Sequence, residues 1–231
     1  MIRKNKCSDV ENYSLYSKKY QMTLKKLIKF ELMSIVGRLF FPRKPPVISA
    51  DYRLLNLGCG GSFFNGWVNA DFFTVRFWKF SKSLWMLDMR YPLRCESDYW
   101  DGIFTEHAAE HLYPTEARLL FRELYRTIKK GCWLRISVPD LRKHIDYYLG
   151  RPVDKKFKKR WPGGAEALRS LTQNWGHRSV WDERLLALFL RRAGFINVRK
   201  VGFREGTDKR LLMEKEERKW ESLYMEAQKP S

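Results

Sequence analysis

The stretch Leu54-Leu55-Asn56-Leu57-Gly58-Cys59-Gly60-Gly61 is an apolar run that empties directly into a glycine-rich turn. A buried strand reads this way, and the glycines after it let the chain reverse sharply and let a ligand approach without meeting a Cβ atom. Free amide groups in such a turn bind carboxylate or phosphate, so the stretch marks a candidate cofactor site. A glycine turn after a strand can also be purely structural, so its surroundings decide how it is read.

Downstream, short apolar runs ending at Gly or Asp alternate with helical stretches, the pattern of a parallel sheet covered by helices. Strands are predicted over 53–57, 67–71, 85–88, 102–105, 133–138, 197–203 and 222–227. A helix is predicted over 115–129, with Ala117, Leu120, Phe121, Leu124 and Ile128 on one face and Gly131 beyond its end. A second is predicted over 182–192, closed by Gly194. The second strand ends in Asp71 and the third in Asp88, at the carboxyl ends where open parallel sheets bind ligands. An acid after the second strand can accept hydrogen bonds from ribose hydroxyls, and Asp88 can accept from an exocyclic amine such as that of adenine. Each also reads as a capping or turn aspartate.

The spacing separates the cofactor classes. A dinucleotide fold has G-x-G-x-x-G with an acid about 20 residues further on, whereas Asp71 follows Gly60 by eleven positions. Residues 62–66 are too few for the helix that would hold a pyrophosphate, which disfavours NAD and FAD. No G-x-x-x-x-G-K-[ST] run occurs, which removes the usual nucleoside triphosphate reading.

In this order the motifs resemble the class I S-adenosylmethionine-dependent methyltransferases, type 11-like members in particular, over residues 52–230. Leu55 to Gly60 looks like the family's first motif and Gly66 to Asp71 like its second strand with the ribose acid. Leu87-Asp88-Met89 is similar to the motif beside adenine, and Trp100 to Leu112 resembles the fourth strand and the helix start after it. Leu124 to Pro139, Ala193 to Val198 and Ser222 to Ala227 look like the later elements. The resemblance implies an α/β, Rossmann-like, mostly parallel seven-stranded sheet with helices on both faces and its last strand antiparallel. It further implies S-adenosyl-L-methionine held by Asn56, Gly58, Cys59, Gly60, Asp71, Phe72, Asp88, Met89 and Glu106. The short link after the first glycine turn and the basic N-terminal extension depart from the family's pattern.

The acceptor side is read from scattered residues. His107 and His177 are the candidate general bases, since a neutral imidazole can take a hydroxyl proton. Lys155, Lys156 and Lys158, in a basic run between the fifth strand and the helix over 182–192, are candidates for gripping an anionic substrate with Trp175 and Arg178. Tyr147, Tyr148 and Trp161 are further candidate walls of the acceptor pocket. The stretch His107-Ala108-Ala109-Glu110-His111 also contains H-x-x-E-H, an inverted zinc-peptidase pattern. No metal site is expected there, because the motif falls at a strand end, Pro114 follows closely and no third ligand is apparent.

The chain has 231 residues and a net charge of +19, from 45 Lys and Arg against 26 Asp and Glu, so its field draws anionic partners. A small metabolite or glycan is the first expectation for the acceptor, methylated on oxygen. RNA is the alternative, although no RNA-binding module is recognisable. Four cysteines without paired spacing suggest a reduced, cytoplasmic protein, and no apolar run is long enough to span a bilayer.

Residues 1–50 are expected to be a separate basic arm and amphipathic helix, followed by the catalytic domain over 51–231. Leu24, Leu27, Ile28, Ile35 and Leu39 recur at helical spacing within 21–41, with Lys25, Lys26 and Lys29 expected on the other side. The apolar stripe is expected to pack on the domain. Docking on anionic lipid, with or without retained catalysis, is the alternative.

Overall fold

The computed structural model of the protein describes residues 23–41, 44–73 and 83–231. The basic arm with Arg3, Lys4 and Lys6, Cys7 and Pro42 lie outside the described residues. Seven strands form one sheet: β1 (Leu54–Leu57), β2 (Val68–Asp71), β3 (Leu84–Met86), β4 (Gly102–Glu106), β5 (Trp133–Pro139), β6 (Ile196–Val201) and β7 (Ser222–Gln228). Their order is β3-β2-β1-β4-β5-β7-β6, parallel except for β7, which runs antiparallel to both β5 and β6. Among the described residues six α-helices accompany them: α1 (Leu24–Phe40), α2 (Pro114–Thr127), α3 (Leu141–Tyr148), α4 (Lys156–Arg160), α5 (Gly164–Gln173) and α6 (Glu183–Ala193). Among the described residues no helix is long and apolar enough to cross a membrane, and Cys59, Cys95 and Cys132 are free thiols.

The alternation of side chains along each strand gives the sheet two unlike faces. Leu55, Leu57, Val68, Ala70, Ile103, Leu134, Ile136, Met225 and Ala227 point to one side, where Leu120, Phe121 and Leu124 of α2 and Leu186 and Leu190 of α6 close the main core. The other side has a small aromatic cluster of Leu54, Trp67, Phe104 and Leu211, with Phe64 and Trp133 against it. Beside that cluster lies a buried ion pair of Arg135 with Glu214, and Arg135 also donates to the carbonyls of Glu205 (2.7 Å) and Gly202 (2.9 Å). The link between β1 and β2 contains no helix, as its length predicts, so Phe64 and Trp67 fill the space a crossover helix would occupy.

Helix α1 overturns one expectation. Ser34 and Gly37 are its buried positions, while Leu24, Ile28, Leu32, Ile35, Val36, Leu39 and Phe40 are all exposed, as are Lys25 and Lys29. At about 100° per residue these nine positions fall on one side of the helix, so Leu24, Ile28, Ile35 and Leu39 of the expected stripe face outward with two of the lysines, while Leu27, also exposed, lies off that side. Specific polar contacts hold the inward side: Ser34 Oγ donates to Asp88 Oδ2 (2.6 Å), and Arg90 bridges Glu31 and Asp88. The ring of Phe73 lies where a side chain at Gly37 would go, 2.1 Å from the site of its Cβ, so glycine alone permits this approach.

The chain between β5 and α6 is more structured than the sequence reading allowed. Helices α3, α4 and α5 enclose a third cluster of Phe157, Trp161 and Ala167, packed by Tyr147, Val153 and Trp220. Pro114 begins α2 at a first-turn position, where a missing N–H costs nothing. The stretch after β4, which resembles a helix start in the sequence, is a single 3-10 turn over Ala109–His111, with His107 just before it in a left-handed conformation (φ 52°).

Candidate active site

A cavity of about 430 Å³ opens at the carboxyl ends of the central strands, where the order reverses at β1. Twelve residues expected at the site line it: Asn56, Gly58, Cys59, Gly60, Asp71, Phe72, Asp88, Met89, Glu106, His107, Trp175 and Arg178. The turn after β1 is folded back onto β2, with the Gly58 and Cys59 amides donating to the Ala70 carbonyl at 2.8 and 3.0 Å. Gly58 has φ 72°, and a Cβ there would sit 2.4 Å from that of Ala108. The glycine is required both by its backbone angle and by this contact.

Asp71 closes the turn from the opposite side, accepting from the Gly60 and Phe72 amides. Burial raises its carboxyl above the usual range although those two donors oppose the shift. Each carboxylate oxygen keeps a second lone pair, so ribose hydroxyls can still be accepted. Cys59 is not a nucleophile, because burial and the Asp71 charge push its thiol up to about 12. Asn56 is buried, its Nδ2 donating to Ser62 O (2.8 Å) and Asn69 Oδ1 (2.9 Å), which fixes the link to β2.

Asp88 sits differently from Asp71. Burial would raise its carboxyl, but hydrogen bonds from Arg90 and Ser34 outweigh it and the group lies below its ordinary value. Both oxygens are therefore engaged by α1 and Arg90 on the cavity wall. Sequence reasoning missed Phe30, whose ring stacks on Phe72 at 4.3 Å with 14° between planes, and Arg90, whose guanidinium lies 4.7 Å from the Phe30 ring. Neither α1 nor the residue two beyond Asp88 carries a local signal of this role. Lys215 and Arg218, from the segment before β7, were missed as well, and the Lys215 amide donates to Glu106 Oε1 at 3.2 Å. Burial raises the Glu106 carboxyl.

A second cavity, of about 560 Å³, shares His107, His111, Trp175 and Arg218 with the first. Its other walls include Glu110, His144, Arg160, Trp161, His177, Trp220 and Glu221. The Glu110 carbonyl accepts from the Arg178 and Ser179 amides at 2.8 and 3.1 Å, which pins the His177 loop to the 3-10 turn. His107 Nε2 lies 2.7 Å from Ser222 Oγ, and that hydroxyl donates its one proton to the Arg218 carbonyl. The Nε2–H is therefore the donor to Ser222, and the lone pair of the neutral ring is on Nδ1. Burial, reinforced by the Arg218 charge, holds His107 well below its ordinary value, and burial brings His111 down to about 4. Burial also lowers His177 and raises Glu110 to about 8.

His177 borders the second cavity and not the first. Lys155 and Lys158 line neither cavity, and Lys156 faces a separate hollow with Lys143, Asp146 and Lys219. With Phe157 turned into its cluster, Arg160 is the member of that basic run that reaches the second cavity. Trp161 lines that cavity too, whereas Tyr147 packs in the third cluster and Tyr148 is exposed.

No protein-family model matches the chain, and no curated protein does. Among solved structures it is similar to an S-adenosylmethionine-dependent methyltransferase from Archaeoglobus fulgidus, with 19% identity, 94% of this chain and 99% of the other covered, and a TM-score of 0.51. It is also similar to a methyltransferase of Thermotoga maritima described as a possible histamine N-methyltransferase, with 13% identity, 96% and 95% covered, and a TM-score of 0.50. Strand order, antiparallel β7 and these likenesses agree: the chain has the fold of the class I S-adenosylmethionine-dependent methyltransferases.

Proposed function

We propose that this protein transfers a methyl group from S-adenosylmethionine to a hydroxyl oxygen of a small anionic acceptor, a sugar derivative or similar metabolite. The observation that carries the reading is the pair of cavities meeting at His107 and Trp175, one at the glycine turn and one walled by tryptophans and arginines. The first has the size of ordinary ligand pockets. Gly60 leaves open space beside the turn, Asp71 offers acceptor lone pairs toward ribose, and Phe30, Phe72 and Met89 supply an apolar wall suited to a flat base.

The cofactor supplies a methyl group on a positively charged sulfur, which the acceptor oxygen displaces in line. The residues of the chain have three tasks. Arg160, Arg178 and Arg218 attract the acceptor's anionic group, and Trp161, Trp175 and Trp220 offer flat apolar faces to a ring. His107 stands on the shared wall, where a hydroxyl crossing from one cavity toward the other would pass, and takes its proton. Orientation between the two cavities contributes the larger share of the acceleration.

Calorimetry with S-adenosylmethionine and S-adenosylhomocysteine tests the cofactor half. Micromolar binding that Asp71→Ala weakens at least about tenfold is expected, the loss of charge-assisted hydrogen bonds being worth ~1.5–3 kcal/mol. No binding by folded protein would overturn the reading. For the acceptor half, His107→Asn is expected to lower kcat with cofactor affinity retained.

A second element of the proposal concerns where the enzyme works. The outward stripe of α1, with Lys25 and Lys29 beside it, matches an anionic membrane surface in both polarity and charge. A net charge of +19 opposes pairing with a second copy and favours the lipid. Co-sedimentation with phosphatidylserine-containing vesicles, absent with phosphatidylcholine alone and lost in the double variant Leu32→Ser, Ile35→Ser, is the expected result. A concentration-dependent dimer that the same variant dissolves would replace lipid by a second copy.

A further inference from the structure

The wall between the two cavities holds a group of side chains that binding of cofactor and acceptor does not explain. One ligand atom each from Glu110, His111 and His177 lies within 4.8 Å of the others. The two imidazole rings are nearly perpendicular, 78° apart with centroids at 5.1 Å, so they are not stacked on each other. Glu110 is 1% exposed, neither of its carboxyl oxygens has a hydrogen-bond partner, and the His107 ring Nδ1 lies 3.5 Å from its Oε1. Native proteins rarely leave a buried carboxylate in that state, and each instance needs a cause.

The imidazole of His177 is arranged as a metal-bound imidazole commonly is. Its Nδ1 is 2.7 Å from the Leu171 carbonyl oxygen, to which it donates. The proton is fixed there, the lone pair is left on Nε2, and a backbone carbonyl behind a histidine is a frequent support for a ligand. The donors also come from two rigid pieces: the 3-10 turn carries Glu110 and His111, and the amides of Arg178 and Ser179 tie the His177 loop to it. The third ligand arrives 66 positions after His111, which is why the H-x-x-E-H stretch looks incomplete in the sequence. Charges around the second cavity are mixed, with Arg160 and Arg218 set against Glu217 and Glu221, so a cation held by a carboxylate does not enter a uniformly positive field.

We propose that Glu110, His111 and His177 bind a divalent transition-metal ion, of which zinc is the type, with its open coordination facing the second cavity. Two imidazoles and a carboxylate form a catalytic-type set, with fewer ligands than the four of a structural zinc site, which leaves a position for an outside oxygen. That oxygen would be the acceptor's hydroxyl or acidic group. This last assignment rests on the methyl-transfer reading, whereas metal binding itself does not.

The experiment uses the full chain, stripped with a chelator and titrated with Zn2+ in a calorimeter, with Co2+ as a spectroscopic probe. One equivalent is expected to bind, and Co2+ to give visible bands of a low-coordinate nitrogen and oxygen site. His177→Ala and Glu110→Gln are each expected to weaken Zn2+ binding by at least about a hundredfold, more than the 10–100-fold typical of an outer-shell partner. His144→Asn, a histidine of the same cavity that is not one of the three ligands, is expected to leave it unchanged. Circular dichroism and the urea unfolding midpoint, measured on every variant, report whether each has folded, and S-adenosylmethionine affinity is measured alongside. Intact cofactor binding without a Zn2+ site, or a site indifferent to His177→Ala and Glu110→Gln, overturns the metal proposal and leaves the methyltransferase reading standing. A specific Zn2+ site in a chain that ignores S-adenosylmethionine does the reverse.

Discussion

Helices α1 and α2 are of similar length and lie on the same domain, yet they are held by opposite means. Helix α2 turns Ala117, Leu120, Phe121 and Leu124 into the core. Helix α1 turns in Ser34, Gly37, Glu31 and the ring of Phe30 and leaves Leu24, Ile28, Leu32, Ile35, Val36, Leu39 and Phe40 outside. The first attachment is non-directional and strong through area, the second directional and dependent on a few charges. A core helix of this kind cannot leave without unfolding the domain. A helix held by Asp88, Arg90 and Glu31 can be released on its own, and it carries Phe30 away from the cofactor cavity when it goes.

The contrast is sharpest for a core truncation. Phe121→Ala is expected to cost ~3–5 kcal/mol of global stability in urea unfolding, from lost burial and the cavity left behind. Next comes Asp88→Asn, which leaves Arg90 paired with Glu31 alone. Removing one member of a buried pair costs on the order of 3 kcal/mol, expected here as faster proteolysis within α1 and weaker S-adenosylmethionine binding with the main unfolding midpoint little changed. Gly37→Ala meets the Phe73 ring and should loosen the same helix by ~1–3 kcal/mol. Global unfolding at the lower midpoint in either α1 variant would break the comparison.

Acid should separate the helices too. Hydrogen bonding to Arg90 holds Glu31 below its ordinary 4.5, and Arg90 with Ser34 overcomes burial to hold Asp88 below 3.8. Groups with lowered folded-state values stabilise fully above the unfolded value and lose that contribution as pH falls through the folded one. Docking of α1 is therefore expected to be constant near neutrality and to weaken below about pH 4.5, read by proteolysis of α1. The smallest effect is expected at Leu32→Gln, within about 0.5 kcal/mol because the side chain is already in water.

The sheet could be read in advance because its signals are local: an apolar run, a glycine turn, an acid at a strand end. Strand ends differ from expectation by only a residue or two. The N-terminal helix was legible as a helix but not in its orientation. Periodicity identifies an apolar face without saying that the domain would offer Asp88 and Arg90 to the opposite one. The segment between β5 and α6 hid three helices because its charged run masks Phe157 and Trp161, the residues that organise it. At the site, the residues following the strands were foreseeable, whereas Phe30, Lys215 and Arg218 reach the cavity only through the tertiary fold. His177 was singled out for its own chemistry, but its neighbours His111 and Glu110 become partners only when the turn and the loop are pinned together.

The crossing of the chain at Gly58 and Ala108 carries a consequence for how this protein can vary. The two positions belong to different turns and meet with no room for another carbon atom. In a saturation library each would be among the positions least tolerant of larger residues. Shrinking one would not rescue growth of the other, because the backbone angle at 58 forbids the exchange as firmly as the volume does. Sequence drift in the loops above the cavity is thereby channelled elsewhere, and new acceptor preferences can arise without the floor of the cofactor site being renegotiated.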